Sequence, residues 1–452
     1  MTDQKKIYAE RIVDRLRKHN FEAYFAGGCV RDMLMGKTPH DYDIATNAHP
    51  DSVISLFKKT IPVGVQFGVV LVLMPEDDAH VNEEIDQQKK YDTFEVATFR
   101  SEGPYIDGRH PSSVSFTSAR EDVLRRDFTV NGLLYDPHKK EIMDYVEGRE
   151  DIERKLIRAI GDARERFDED KLRILRAVRF AVNLDFQIEE ETFRAICECS
   201  SNITQVSAER IRDELVKIFT GFRPGRGLEL LSETGLLKLL LPEIEIMKGV
   251  EQPPEFHPEG DVYIHTRMML DSLKYASLNL AFGVLLHDIG KPPTYSVSDR
   301  IRFNNHDKVG ARMTQDILKR FKFSNKDIDN IVACVDNHIR FKDVKKMREA
   351  KLKRFMARRT FEDELELHRI DCLCSHGMMD NWEFLCEKYE QFKQEPPQVH
   401  AFITGDHLIE MGYLPGPLFK QILTEVEDKV LEHEIHNLEE AKAWVLSNYQ
   451  KQ

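Results

Sequence analysis

The chain has 452 residues, 41% hydrophobic and 32% charged, with 23 Gly and 18 Pro; that globular composition excludes a largely disordered or collagen-like chain and leaves room for roughly two to four domains. Its longest apolar stretch, Ile61–Met74, is interrupted by Gln66 and is too short to span a bilayer, and the N-terminal MTDQKKIYAE lacks the apolar core and cleavage site of a signal peptide. The 65 basic and 78 acidic residues give a net charge of −13, which on average argues mildly against a nucleic-acid surface, and seven cysteines in no regular framework fit reduced thiols and a cytoplasmic location.

From about residue 20 to 145 short apolar runs alternate with turns. Phe21–Phe25, Val63–Met74 and Phe94–Arg100 predict strands, with a helix over Pro50–Lys59 between them. From about 150 onward apolar residues fall three and four apart. That spacing predicts helices through LRILRAVRFAVNL, ETFRAICECS, ERIRDELVKIFTG and GRGLELLSETGLLKLLLPEI, stopped at Gly221, Gly235 and Pro242. Gln252–Gly260, rich in Pro and Glu, reads as a linker. A second helical block without strand pattern begins at about 261. A helical tail, 381–452, is broken at Tyr413–Pro417.

Phe25–Asn47 reads FAGGCVRDMLMGKTPHDYDIATN. A strand runs into Gly27 and Gly28, and a helix begins near Val30. Paired glycines let the backbone approach a phosphate, and a helix N-terminus offers N–H groups to it. Arg31 in the first turn can reach the same anion. Asp41 and Asp43 flank Tyr42, so on an extended strand both carboxylates face one way and suit a hard cation such as Mg²⁺.

GGCVRD, DYDIAT, RDFTVN (Arg126–Asn131) and EDKLR (Glu169–Arg173) occur in that order. This series resembles the class II tRNA nucleotidyltransferase and bacterial poly(A) polymerase family over nearly the whole chain. The resemblance implies in-line nucleotidyl transfer to an RNA 3′-hydroxyl, with Mg²⁺ held by Asp41 and Asp43. A third carboxylate often assists there, and Glu95 and Asp127 are both candidates, Asp127 being equally suited to a structural helix cap. Gly28, Arg31 and Arg126 would contact the nucleotide.

Asp170 and Arg173 are three apart on a strongly helical stretch, which would make them neighbours on one face. Cytosine and adenine both show an exocyclic amine beside a ring-nitrogen acceptor. A carboxylate accepts from the amine and a guanidinium donates to the ring nitrogen, whereas uracil and guanine leave both groups mismatched. The family resemblance assigns base reading to this pair and further nucleotide contacts to Arg176 and Arg179. Ser207–Leu215 (SAERIRDEL) also resembles a family motif, and its pattern suggests support of the neck helix.

The second helical block carries His265, His287, Asp288, His306, His338 and Asp371 in the order H…HD…H…H…D. That order resembles the HD phosphohydrolase superfamily, whose imidazole and carboxylate ligands suit a divalent transition metal. Lys291 is a candidate for holding a phosphorylated substrate. Residues 341–360 hold nine basic and two acidic side chains. Either a solvated helix or an RNA contact accounts for them, the latter through Lys351, Lys353, Arg354, Arg358 and Arg359. Cys372 and Cys374 read as core thiols, since a second ligating pair is missing.

Within the family, the paired basic signature of bacterial poly(A) polymerases is missing from Val63–Val72, and Thr98–Phe116 reads as an intact loop, unlike CC-only enzymes. A charged insertion spans 76–92, and Ile403–Leu423 resembles the C-terminal part of HD-containing members. The expected fold is α+β: a small mixed-sheet nucleotidyltransferase head (1–148), then all-α segments comprising a neck and body (149–255), an HD domain (256–380) and a tail (381–452). The expected activity is addition of C, C and A to tRNA from CTP and ATP, with no membrane partner. The alternatives are A-addition or polyadenylation, and an HD phosphohydrolase with the head as an RNA-docking module.

Overall fold

In the computed structural model, which describes residues 4–64, 67–75, 91–103, 114–255, 260–394, 402–432 and 434–450, the first element is the helix Gln4–Lys18. Its buried residues Tyr8, Ala9, Ile12, Val13 and Leu16 recur about every four positions, so one stripe faces the core. Nine strands follow: β1 (Ala23–Ala26), β2 (Asp43–Thr46), β3 (Thr60–Gly64), β4 (Val69–Pro75), β5 (Tyr91–Thr98), β6 (Arg100–Glu102), β7 (Val114–Phe116), β8 (Leu133–Asp136) and β9 (Glu141–Asp144). Seven form one sheet in the order β3-β4-β5-β2-β1-β8-β9. The β2–β5 pair is parallel and its other pairs are antiparallel. The helix Gln4–Lys18 packs on this sheet around Phe25, Ile44, Val70 and Phe94.

Val63–Met74, expected as one strand, is two. Gly68 takes φ +80° and a Cβ there would lie 3.2 Å from Phe116, so a tight reversal separates β3 from β4. The expected helix over Pro50–Lys59 ends at Leu56. Most of the 76–92 insertion, and 104–113 of the Thr98–Phe116 loop, lie outside the described residues; the ends of that loop pair as β6 and β7.

Beyond the sheet, helices follow at Ala163–Glu169, Arg173–Leu184, Glu190–Cys199, Ala208–Phe219 and Pro224–Glu233. Gly235, at φ +75°, separates the last of these from Leu236–Leu240. This stretch is not purely helical, because Leu156–Ile157 pairs in parallel with Gln187–Ile188. The chain forms two compact units, Met1–Pro242 and Glu243–Gln452. In the second, helices at Val262–Asp271, Leu278–Leu286, His306–Arg320, Asn325–Asn337 and Phe361–Cys374 carry the histidines and aspartates or end just before them. The block expected to lack strands holds one antiparallel hairpin, Tyr295–Val297 with Ile301–Phe303. Its sequence YSVSDRIRF supplies β-branched and aromatic residues around a Ser-Asp turn. Two further apolar clusters follow. One is centred on Phe341, Phe355, Phe361 and Leu385, the other on Leu408, Tyr413, Ile422 and Val445.

Candidate functional site

A cleft of about 750 Å³ opens in the first unit, and seven arginines and three aspartates line it. That local positive excess inside an acidic chain fits a polyphosphate ligand. Gly27 takes φ +72°, and a Cβ there would stand 3.1 Å from Arg126 Nη1. Only glycine therefore lets strand β1 turn into the helix Gly28–Leu34, whose N-terminus has no side-chain cap. Arg31 is held in place by Asn131 Oδ1 at 2.6 Å and Asp32 Oδ1 at 2.8 Å. Arg126 bonds Asp122 at 3.0 Å, and its buried Nε has no acceptor among the described residues. A buried guanidinium N–H in this state is suited to an anion.

Asp43 opens β2 and lines the cleft. The β2–β5 register sets Ile44 opposite Val96; one residue back, Asp43 lies beside Glu95. Asp43 is open to water on the cleft side and walled by protein elsewhere. Burial, then the charge of Glu95, pushes its carboxyl up to about 6 against the pull of Arg126. Two carboxylates crowded on one sheet face fit a bound cation. Asp41 precedes β2 and is exposed, as is Asp43, with Tyr42 buried between them; Asp43 lines the cleft and Asp41 is not among its lining residues. Its carboxylate meets Lys5 Nζ at 3.0 Å and His40 Nδ1 at 3.1 Å. Burial works against its ionisation, but these partners hold it below its ordinary value.

Asp127 is differently placed. Its Oδ1 accepts from Phe128 N at 2.8 Å and Asn131 Nδ2 at 3.1 Å, which fixes the turn Thr129–Asn131. Its Oδ2 takes Arg176 Nε at 2.9 Å and also Nη2. Burial opposes ionisation there, but Arg176 holds the carboxyl down to about 2. Both oxygens thus have partners within the protein.

Asp170 and Arg173 both line the cleft, but they do not share a helix. Asp170 is extended, at φ −133°, after Ala163–Glu169, and the next helix starts at Arg173. Asp170 Oδ1 accepts from Leu172 N at 3.1 Å; this local bond competes with helix continuation. Arg210 Nη2 donates to both Asp170 oxygens at 3.1 and 2.8 Å. Arg173 donates to Glu169 at 2.6 Å and to the carbonyls of Arg166 and Arg125. Arg176 lines the cleft. Arg179 does not: it pairs with Glu214 at 2.5 Å and stacks on Phe180. Sequence reading missed the contact of Arg210, within SAERIRDEL, because its partner is 40 residues away. It also missed the hold of Asn131 on Arg31.

In the second unit the six expected residues converge. The helix Leu278–Leu286 stops before His287, which frees His287 and Asp288 to address one point; His287 Nε2 lies 3.0 Å from Asp288 Oδ2. His306 and His338 approach Asp288 Oδ1 at 3.7 and 3.9 Å, and His265 meets Asp371 at 3.1 Å. The Nδ1 atoms of His287, His306 and His338 donate to the carbonyls of Val284, Phe303 and Val335. Those bonds leave each Nε2 as a lone pair. His306 Nε2 and His338 Nε2 face each other at 3.1 Å. Two lone pairs at that distance repel unless a cation lies against them, so the donor set fits a metal. Burial and the neighbouring His306 push His338 down to about 3, which keeps it the neutral imidazole a metal needs. Lys291 is spent on Asp288, at 2.7 Å, and on Gln252.

Part of the basic run folds inward. Lys353 donates to Leu431 O at 2.7 Å, and Arg354 pairs with Asp428. Arg358 pairs with the buried Glu364, and Arg359 bonds Asn330. Of the expected RNA-binding side chains, Lys351 and Arg359 are exposed. Cys372 is buried and Cys374 half-buried; both are free thiols.

Family models match three stretches: the poly A polymerase head domain over residues 23–158, the probable RNA and SrmB-binding site of polymerase A over 185–247, and the HD domain over 261–372. The CCA-adding enzyme of Lactococcus lactis subsp. lactis is 31% identical over 435 residues, covering 95% of this chain and 94% of that one. That of Enterococcus faecalis is 44% identical over 227 residues, half of each chain. The crystal structure of the Bacillus stearothermophilus CCA-adding enzyme in complex with CTP superimposes with a TM-score of 0.73 at 27% identity, covering 99% of this chain and 98% of that one. With likeness running nearly end to end in both sequence and fold, the chain belongs to the CCA-adding enzyme family of nucleotidyltransferases.

Proposed function

We propose that this enzyme adds C, C and A without a template to tRNA 3′ ends, using CTP and ATP. One observation carries the reading: a single cleft holds Asp43, a wall of arginines and the Asp170–Arg173 pair. The relatives named CCA-adding enzymes, and the CTP complex of one of them, support it. In this reading Asp41, Asp43 and Glu95 hold Mg²⁺, which supplies charge neutralisation and hydroxyl activation. Gly28, Arg31 and Arg126 seat the triphosphate. The RNA 3′-oxygen bonds to the α-phosphorus as the bond to pyrophosphate breaks. Asp170 accepts from the amine of C or A, and Arg173 donates to the ring nitrogen. Arg176 orders the wall through Asp127, and Arg179 acts through Glu214 and Phe180.

The division into head (1–148), neck and body (149–255), HD domain (256–380) and tail (381–452) is part of this reading. Seven free cysteines support a reducing compartment, the cytoplasm. No described helix is long and apolar enough to cross a membrane. Of the basic run, Lys351 and Arg359 are exposed and remain our RNA contacts.

The histidine–aspartate cluster favours a second activity in the same chain. There a divalent transition metal, held by His265, His287, Asp288, His306, His338 and Asp371, would support phosphoester hydrolysis. Water oxygen joins phosphorus, and the ester oxygen leaves with a proton. The deciding experiment offers CTP and ATP, singly and together with Mg²⁺, to a tRNA transcript ending at the discriminator base, and sequences the products. Ordered C, C, A that stops there is expected. A-only extension of a CC end, or long A tails, would replace the reading with its polymerase relatives. No extension by a folded chain that still releases phosphate would move the main activity to the second unit.

A further inference from the structure

Phe180, on the helix Arg173–Leu184, lines the cleft and has three guanidiniums around its ring. That of Arg179 stands 4.0 Å from the ring centroid, that of Arg176 5.4 Å and that of Arg31 5.6 Å. The ring is buried and fixed by Phe128, itself buried, in a T-shaped contact at 5.7 Å. Each guanidinium has polar partners of its own: Glu214 for Arg179, Asp127 for Arg176, and Asn131 with Asp32 for Arg31. Among the described residues no carboxylate bonds more than one of the three, and Phe180 is what they share. Burial, with the like charge of Arg176, holds Arg179 below its ordinary value against the pull of Glu214, so these cations repel one another.

The face of an aromatic ring is electron-rich and attracts a cation, the more so where water is excluded. One ring therefore offsets part of the repulsion that packing three guanidiniums creates, which an aliphatic side chain of similar bulk would not do. The three come from two elements. Arg31 belongs to the helix Gly28–Leu34 and, in the reading above, seats the triphosphate. Arg176 and Arg179 belong to the helix that begins at the base-reading Arg173. We propose that Phe180 is a positioning residue: its ring fixes Arg31 against the base-reading helix, so that the two ends of a nucleotide are met by one rigid unit. Phe180 acts through Arg31 in this role, and the proposal rests on the reading of Arg31 as part of the triphosphate seat.

The test is a double-mutant cycle on the full chain, with CTP and ATP each titrated by calorimetry in Mg²⁺ and no RNA present. Phe180→Leu should weaken both nucleotides about fivefold, and by the same factor, because the triphosphate is common to them. Arg31→Met should weaken both about thirtyfold. The double variant should bind no more weakly than Arg31→Met alone, since a residue that acts through Arg31 has nothing left to position. A general loosening of the cleft would instead add its full factor in both backgrounds. A cooperative thermal transition checks that each variant is folded; if Phe180→Leu is not, Phe180→Met replaces it in the same cycle, as a flexible side chain that fills the space without a ring. Unchanged affinity in the folded Phe180 variant, a loss confined to one of the two nucleotides, or a full fivefold loss added on top of Arg31→Met overturns the proposal alone. Unchanged CTP and ATP affinity in Arg31→Met overturns the triphosphate-seat reading and the proposal together.

Discussion

Asp43 and Asp127 carry the same side chain into opposite environments. Asp43 has Glu95 beside it and its carboxyl is pushed up to about 6; protons therefore compete with a cation there as pH falls through that value. Mg²⁺ affinity of the head should drop between about pH 7 and pH 5, and a parallel titration of Asp43→Asn should lack that component. Asp127, paired with Arg176, is held down to about 2, below its ordinary value. Its contribution is full above about pH 4 and is lost as pH falls toward about 2. It is worth about 2 kcal/mol, so acid unfolding of Asp127→Asn should be flatter than that of the wild type over this window. Arg210 holds both oxygens of Asp170. Arg210→Met should keep the fold and lower the preference for CTP over UTP about tenfold, read as kcat/KM for single additions. Undiminished discrimination would leave Arg210 a structural role only. The D-x-D spacing made Asp43 legible in the sequence. The commitment of Asp127 to Arg176 was not, because the two lie 49 residues apart.

Periodicity revealed most helices and Gly235 as a stop, since burial stripes and positive-φ glycines are local properties. The break before Arg173 was hidden, because Asp170 satisfies Leu172 N by a short-range bond inside a run whose hydrophobic spacing stays helical. The Tyr295–Phe303 hairpin was hidden for a related reason: three-residue strands are too short to show a period. At 341–360 charge alone could not separate a solvated face from an internal one. There Arg358 meets Glu364, which also accepts from Asn337 and Thr360. Arg358→Met would leave that carboxylate buried without its cation, and should cost about 3 kcal/mol in urea unfolding. Lys351→Ala, at an exposed site, should cost under about 0.5 kcal/mol.

Two compact units, each with its own site, predict separable responses to ligands. CTP with Mg²⁺ should raise one thermal transition of the chain, and Mn²⁺ alone should raise another, each by about 2.7 kcal/mol at a hundred times the dissociation constant. His265→Ala should abolish the Mn²⁺ response and spare the CTP response in calorimetric scans. The arginine-lined cleft has a further consequence when set against the net charge of −13. RNA meets a chain of net negative charge and an arginine-lined cleft, so an encounter is filtered by orientation before any base is read. Substrate choice in an enzyme without a template then begins in diffusion. Rising salt should bring the association rates of tRNA and of unstructured RNA together, as measured by stopped flow.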